Sequence, residues 1–224
     1  YKVILENEMA VDLLNVFVPG FYAENVQKGF SLFGGKLNEP VASKCVNIKD
    51  VPVHEKSITP KSFDSEGAVV KSKMIVEGGV LKTYFHNYKS ARKDNVDTTG
   101  NGFKGSYKSS VATSFANCYI EPGDKDLEAL ISEAGNGILI NSLAGLHSGC
   151  NAISGDFSLL AEGFLIEGGK LVKPVEQLTV AGNFYEMLKS ITGIGSDLRF
   201  DPSGPGGSLV SPSIIIEELS ISGV

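Results

Sequence analysis

Apolar and polar positions alternate most clearly between residues 149 and 183, GCNAISGDFSLLAEGFLIEGGKLVKPVEQLTVAGN. Leu160–Glu167 reads as one strand and Lys170–Val175 as the next. Between them, Gly168-Gly169 supplies the positive φ values that a two-residue hairpin loop requires. Strand alternation puts Phe164 and Ile166 on one face and Leu165 on the other. Val175–Ala181 continues as β, and Asn183 is placed to cap a helix that starts at Phe184. A second hairpin is predicted from Met74–Glu77 and Val80–Phe85 over Gly78-Gly79. The two share a pattern, Ile-Val-Glu-Gly-Gly-Val-Leu against Leu-Ile-Glu-Gly-Gly-Lys-Leu. The echo admits pseudo-symmetric halves. Because the flanking sequences differ, it is read as one favourable turn chemistry used twice.

Elsewhere the periodicity changes. Tyr1–Leu5 reads as a strand. Asn7 is placed to cap a helix with Val11, Leu14 and Val18 on one face and Leu13 and Phe17 beside it. Pro19-Gly20 kinks or ends it, and a resumed pattern covers Phe21–Val26. Short strands begin after Gly34-Gly35. Asp94–Ser110 is polar and Gly-rich and reads as an exposed, mobile loop. Asp124–Gly135 predicts a helix with Leu127, Leu130, Ile131 and Ala134 on one face, and Phe184–Ile191 predicts another. Asp201–Gly207 reads as a flexible turn, and Ser213–Ile216 and Leu219–Ile221 close as β. The fold class expected is α+β: a β-dominated domain over residues 1–224, with several antiparallel hairpins and about three helices.

Composition narrows the function classes. The 224 residues are 42% apolar and 21% charged, which fits a globular chain. Net charge is −6, which argues against nucleic acid as a partner. No apolar run reaches the ~20 residues of a membrane span, and no secretory leader pattern opens the chain. Cys45, Cys118 and Cys150 are odd in number and widely spaced, so they form neither a disulfide framework nor a zinc knuckle. The simplest expectation is a reducing cytoplasm.

Several short motifs occur in a fixed order. They are Phe63-Asp64-Ser65-Glu66-Gly67, Ile75–Leu81, Ser90-Ala91-Arg92-Lys93 with Thr99-Gly100, Gly155-Asp156-Phe157-Ser158 with its hairpin and Ala181-Gly182-Asn183, Ile194-Gly195-Ser196-Asp197, and Ser211-Pro212-Ser213. In this order they resemble the C-terminal domain of the TldD/PmbA family, the peptidase family once described as modulators of DNA gyrase. Members carry a further N-terminal domain, so the resemblance implies that this chain is the C-terminal part of a longer protein.

The catalytic branch of that family has His-Glu-x-x-x-His on its first helix and a distant Cys as third zinc ligand. Anchoring on Lys28-Gly29-x-Ser31 puts Leu14 at the first His, Asn15 at the Glu and Pro19 at the second His. None offers a metal donor or a carboxylate base. Any shift of register gives the same answer, because residues 1–53 contain no His, and residues 201–208 contain no Cys. The resemblance is therefore to the non-catalytic PmbA/TldE branch, with no catalytic residue, metal or cofactor expected in this chain. It implies as partners a zinc-bearing TldD-type homologue or a second copy, and an extended peptide substrate. The rival readings are a scaffold or gyrase-binding protein and a self-sufficient hydrolase with another site.

The remaining candidates are weighed on their own chemistry. His54 lacks a second His at zinc spacing and reads as a loop residue. His86 reads as a polar strand end. His147, Cys150 and Asp156 could be drawn as a nucleophile set, but nothing near Cys150 in sequence lowers a thiol pKa. Asp64 and Glu66 could share a proton, or serve turn geometry before Gly67 or an ionic partner, for which Arg92 and Lys93 are the candidates. The second reading is preferred. Gly155-Asp156 reads first as a turn, and a substrate-channel role for it rests on the resemblance alone.

Overall fold

A computed structural model describes residues 1–57, 60–199 and 207–223. The chain begins with β1 (Val3–Leu5), α1 (Asn7–Phe17), a 3-10 turn (Val18–Phe21) and α2 (Ala23–Gln27). Then come β2 (Ile48–Val51), β3 (Lys73–Glu77), β4 (Val80–Leu81), α3 (Tyr88–Asp94), β5 (Gly102–Phe103), β6 (Ala112–Thr113) and β7 (Asn117–Ile120). The second half holds α4 (Leu127–Ala134), β8 (Gly137–Ala144), α5 (Leu146–Gly149), β9 (Asp156–Glu167), β10 (Lys170–Asn183), α6 (Phe184–Lys189), β11 (Ile191–Ile194), β12 (Ser208–Val210), β13 (Ile214–Ile216) and β14 (Ser220–Ser222). The α+β expectation holds, with three helices of seven or more residues and three shorter ones among the described residues.

Two sheets dominate. The larger has the order β11-β13-β1-β8-β9-β10-β14, and the smaller β12-β7-β2-β3-β4. β1 is a central strand, antiparallel to β13 and parallel to β8. The main core joins one face of the large sheet (Val3, Ile138, Leu159, Val180, Ile216) to α1, to α6 and to Ile48, Ile75 and Leu81 of the small sheet. On the other face, α4 covers only one end, packing Leu130, Ile131 and Ala134 on Ile4, Leu139, Ile166 and Ile215. Along β9 the alternation is as expected: Phe164 and Ile166 face α4, and Leu165 faces the main core. Beyond α4 that outer face is bare, so Ser158, Leu160 and Glu162 are exposed.

Both Gly-Gly turns form, with φ of 55° and 78° at Gly78 and Gly79 and of 57° and 75° at Gly168 and Gly169. The echo reaches further than turn chemistry, because each turn docks on the start of a third strand. Gly78 N–H donates to Asn47 Oδ1 and Gly168 N–H to Asn136 Oδ1, at 2.7 and 2.9 Å. Gly79 N–H donates to the Val46 carbonyl and Gly169 N–H to the Gly135 carbonyl. The residue after each Asn pairs two positions before its turn, Ile48 with Val76 and Gly137 with Ile166.

Several local expectations are corrected. Glu6, not Asn7, is the cap of α1, and the Asn7 amide instead donates to the Asp197 carbonyl at 3.0 Å. Strand β4 stops at Leu81, short of Phe85, because the chain turns away to bridge Phe85 with Tyr22. Helix α6 ends at Lys189, and Ile191 starts a strand beside β13. The stretch 94–110 is not one exposed loop. It follows the unforeseen helix α3, and Asn101, Gly102 and Phe103 within it are buried. Of the turn expected over Asp201–Gly207, all but Gly207 lies outside the described residues.

Candidate functional site

Helix α1 forms because Met9, Ala10, Leu13, Leu14 and Phe17 recur on one face and are buried together. Phe17 stacks on Phe184 at 4.6 Å between ring centroids. Leu14 is 3% exposed and belongs to the main core. Asn15 is exposed. Pro19 lies past the helix end in the 3-10 turn, where its carbonyl accepts from Asn25 Nδ2 and Tyr22 N–H. A zinc ion does not fit these residues. Leucine and proline side chains carry no donor atom, and no three His, Cys, Asp or Glu residues are grouped to hold a metal among the described residues.

The polar flank of α1 borders a cleft of about 230 Å³ against β12, lined by Asn7, Glu8, Asp12, Arg199 and Val210. Burial, and then the neighbouring Glu8 charge, raise the pKa values of Glu6 and Asp12. Arg199 reaches Glu8 at 3.9 Å, with both groups exposed. Two motifs meet at one end of α1. Asp197 accepts from Ser213 N–H and Oγ–H at 2.8 and 2.6 Å, and Gly195 N–H donates to the Ser213 carbonyl.

The acidic turn is a clamp. Asp64 is 4% exposed. Its Oδ1 accepts from the N–H groups of Glu66 and Ala68, and its Oδ2 from Gly102 N–H, each at 2.9 Å. Glu66 Oε2 accepts from Tyr88 N–H at 2.8 Å, at the first turn of α3. Backbone donors thus occupy both carboxylates, so the shared-proton role falls and the turn role stands. The ionic partner does not: Arg92 and Lys93 point outward, and neither pairs with Asp64 or Glu66. Gly67 sits at φ 80° to close the turn. Gly67 and Arg92 line one open depression of about 530 Å³. The Thr99-Gly100 pair packs behind it, since a Cβ on Gly100 would strike the Val69 carbonyl oxygen at 2.5 Å.

Gly155 and Asp156 belong to a different place, where β9 and β10 run into α6. Gly155 has φ 86°, and its carbonyl accepts from Phe184 N–H at 2.8 Å. A side chain there would collide with the Tyr185 ring. Asp156 accepts from Asn183 Nδ2 and Ser154 Oγ–H, both at 2.8 Å, and these bonds lower its pKa. Asn183 also caps α6 as expected. The Asp156 carboxylate is therefore not turned to His147, and burial raises the Cys150 pKa. The nucleophile set has no support.

A family model for the PmbA/TldA metallopeptidase C-terminal domain matches residues 1–223. The chain belongs to the PmbA/TldD family. It is 30% identical to a Buchnera aphidicola protein named metalloprotease PmbA homolog, over 99% of this chain and 46% of that one. It is 28% identical to metalloprotease PmbA of Escherichia coli O157:H7, over 96% of this chain and 45% of that one. Among solved structures, a proposed modulator of a DNA gyrase from Thermotoga maritima superimposes with a TM-score of 0.88 at 39% identity, over 99% of this chain and 49% of that one. TldE from Thermococcus kodakarensis gives 0.90 at 26% identity, over 99% and 50%. The chain spans about half the length of these PmbA/TldD relatives.

Two residues of this PmbA/TldD fold escaped the sequence reading. Asp50 is fully buried in β2. Its Oδ1 accepts from the N–H groups of Ala116 and Asn117, and its Oδ2 from Lys73 Nζ and Asn101 Nδ2, at 2.9 to 3.0 Å. The available signal was a charge inside the apolar run Ile48–Val51. His86, read as a strand end, is 5% exposed, and its Nδ1 has no hydrogen-bond partner among the described residues. Burial lowers its pKa. Its carbonyl accepts from Thr98 Oγ–H and the N–H groups of Thr99 and Asn101, which fixes the loop after α3. No helix among the described residues is long and apolar enough to cross a membrane.

Proposed function

We propose that this chain is the metal-free, PmbA/TldE-type subunit of a TldD/TldE-type metalloprotease complex that degrades or matures unfolded peptides. The observation that carries this reading is the use of α1. In the register that the family resemblance implies, Leu14 stands for the catalytic branch's first histidine; its side chain is packed into the main core, and Asn15 and Pro19 supply no ligand. Zinc and the general base then come from a TldD-type homologue, and this chain completes the chamber around an extended peptide. The names of the relatives fit this, metalloprotease for PmbA and TldE for the archaeal structure. Exposed apolar residues such as Phe30, Leu32 and Ile153 favour assembly with the homologue, or with a second copy when it is absent. We take the 224 residues to be one domain of a longer, cytoplasmic protein. The three unpaired cysteines are compatible with that location.

Metal analysis of the purified chain tests the first element, and about one zinc per chain overturns it. Co-expression with the His-Glu-x-x-x-His homologue of the same genome tests the second. Size-exclusion chromatography should give one mixed species, and casein proteolysis should require both chains. Peptidase activity from this chain alone favours the hydrolase reading. A strict monomer, both alone and when co-expressed with the homologue, favours the scaffold.

A further inference from the structure

The depression between the acidic turn and α3 is open at the surface. Val69, Tyr88 and Val96 surround it, yet they are 64%, 49% and 50% exposed. Single exposed apolar residues need no explanation, but three around one opening mark a binding surface. Lys71 and Arg92 line the same opening, and among the described residues neither side chain has a hydrogen bond or ion pair. Asp97 is the one acidic residue of the lining. The wider charge pattern agrees. Residues 61–108 contain nine Lys or Arg against five Asp or Glu, in a chain whose net charge is −6.

The surface is also pre-formed. An Asn87–Ser90 capping box fixes the start of α3, and burial of Ala91 fixes its inward face. Arg92, the next residue, therefore projects outward from a held element. Glu66 ties the turn to the same helix end through Tyr88 N–H. Little ordering entropy remains to be lost when a ligand binds.

We propose that this depression is a docking groove for an extended peptide segment in which an acidic side chain lies next to apolar ones. The carboxylate sits between Arg92 and Lys71, and the apolar neighbours cover Val69, Tyr88 and Val96. Arginine suits the carboxylate because its planar fork can donate two parallel N–H bonds. The proposal rests on the peptide-protease reading and adds to it a preference for acidic segments.

Calorimetric titration of the protein with three ten-residue peptides tests it. The peptides are identical except for a central Glu, Gln or Lys flanked by Phe and Leu. The Glu peptide should bind at least about tenfold more tightly than the Gln peptide at low salt, and the gap should shrink at about 0.5 M salt. The double variant Arg92→Glu with Lys71→Glu should abolish the preference, while Arg92→Lys retains part of it. Both positions are exposed, and unchanged thermal melts verify the fold. Equal binding of the Glu and Gln peptides, or a preference that survives the double reversal, overturns the proposal. So does an oligonucleotide that displaces the Glu peptide at equal concentration. Proteolysis by the co-expressed pair separates the two readings. Cleavage of all three peptides at equal rates, unaffected by the reversal, removes the groove and leaves the protease. Acid-selective binding by a protein that never supports cleavage does the opposite.

Discussion

The two glycine turns share an architecture and differ in what surrounds it. In each, an asparagine side chain accepts the first glycine N–H and a backbone carbonyl accepts the second. In each, the first glycine faces open space and the second faces backbone. The strands that leave the turns then diverge. β3 and β4 have five and two residues, whereas β9 and β10 have twelve and fourteen. The first hairpin hands the chain to a buried polar segment around His86 and Asn87. The second runs on through irregularities between Leu171 and Lys173 and between Val175 and Leu178, with Gln177 at φ 56°, before ending at the α6 cap. Local chemistry dictates the turn, and what lies beyond dictates how far the strands run.

The largest expected effect breaks the likeness at its second glycine. Gly79→Val should cost about 3 kcal/mol or more, because a left-handed φ is joined by collision with the Ala42 and Ser43 carbonyls. At Gly168 an added Cβ meets nothing within 4 Å, so Gly168→Val should cost mainly the φ penalty, about 1–2 kcal/mol. Urea unfolding of both variants orders the costs, and equal values would remove the distinction between the two glycine positions. Next in size are Asn47→Ala and Asn136→Ala. Each deletes one bond to a glycine N–H that water can partly replace, so each should cost about 1 kcal/mol. Midpoints that differ severalfold would show that the shared geometry hides unequal roles.

The smallest effect is a pH slope that separates the regions. Burial holds the His86 pKa below its ordinary 6.5. The unfolded chain therefore binds more protons just below that value. Stability is complete above it and falls as pH drops toward the lowered native value. His54, also lowered by burial, adds a slope of the same sign. Asp156, whose pKa is lowered, loses its contribution only as pH falls below the ordinary carboxylate range. Thermal melts from pH 7.5 to 5 should decline less in His86→Gln than in the unsubstituted chain. Parallel declines would assign the slope elsewhere.

What could be read from the sequence follows from the range of each signal. The β9 alternation, the Gly-Gly turns and the Asn183 cap are local devices, and all were legible. Helix α3 was not, because its cap pairs Asn87 with Ser90 rather than with a glutamate, and its outer face is polar apart from Tyr88. The burial of Asn101–Phe103 was not, because Asp64 and Asp50 hold that stretch from 38 and 51 residues away. At the candidate site, residue type alone says that Leu14 and Pro19 carry no donor atom. The place of Arg92 was not legible, since it depends on a helix that polar composition concealed.

The central position of β1 has a consequence for how the protein is made. Val3–Leu5 pairs with β8 on one side and with Ile214–Ile216 on the other. Its second partner is synthesised more than two hundred residues later. At ~5–20 residues per second, that gap lasts on the order of ten seconds or more. Until β8 is made both edges of this all-apolar strand are open to any extended chain nearby, and afterwards one still is. The large sheet closes only once β13 and β14 have been made, so the nascent protein depends on whatever shields that edge until those strands emerge from the ribosome.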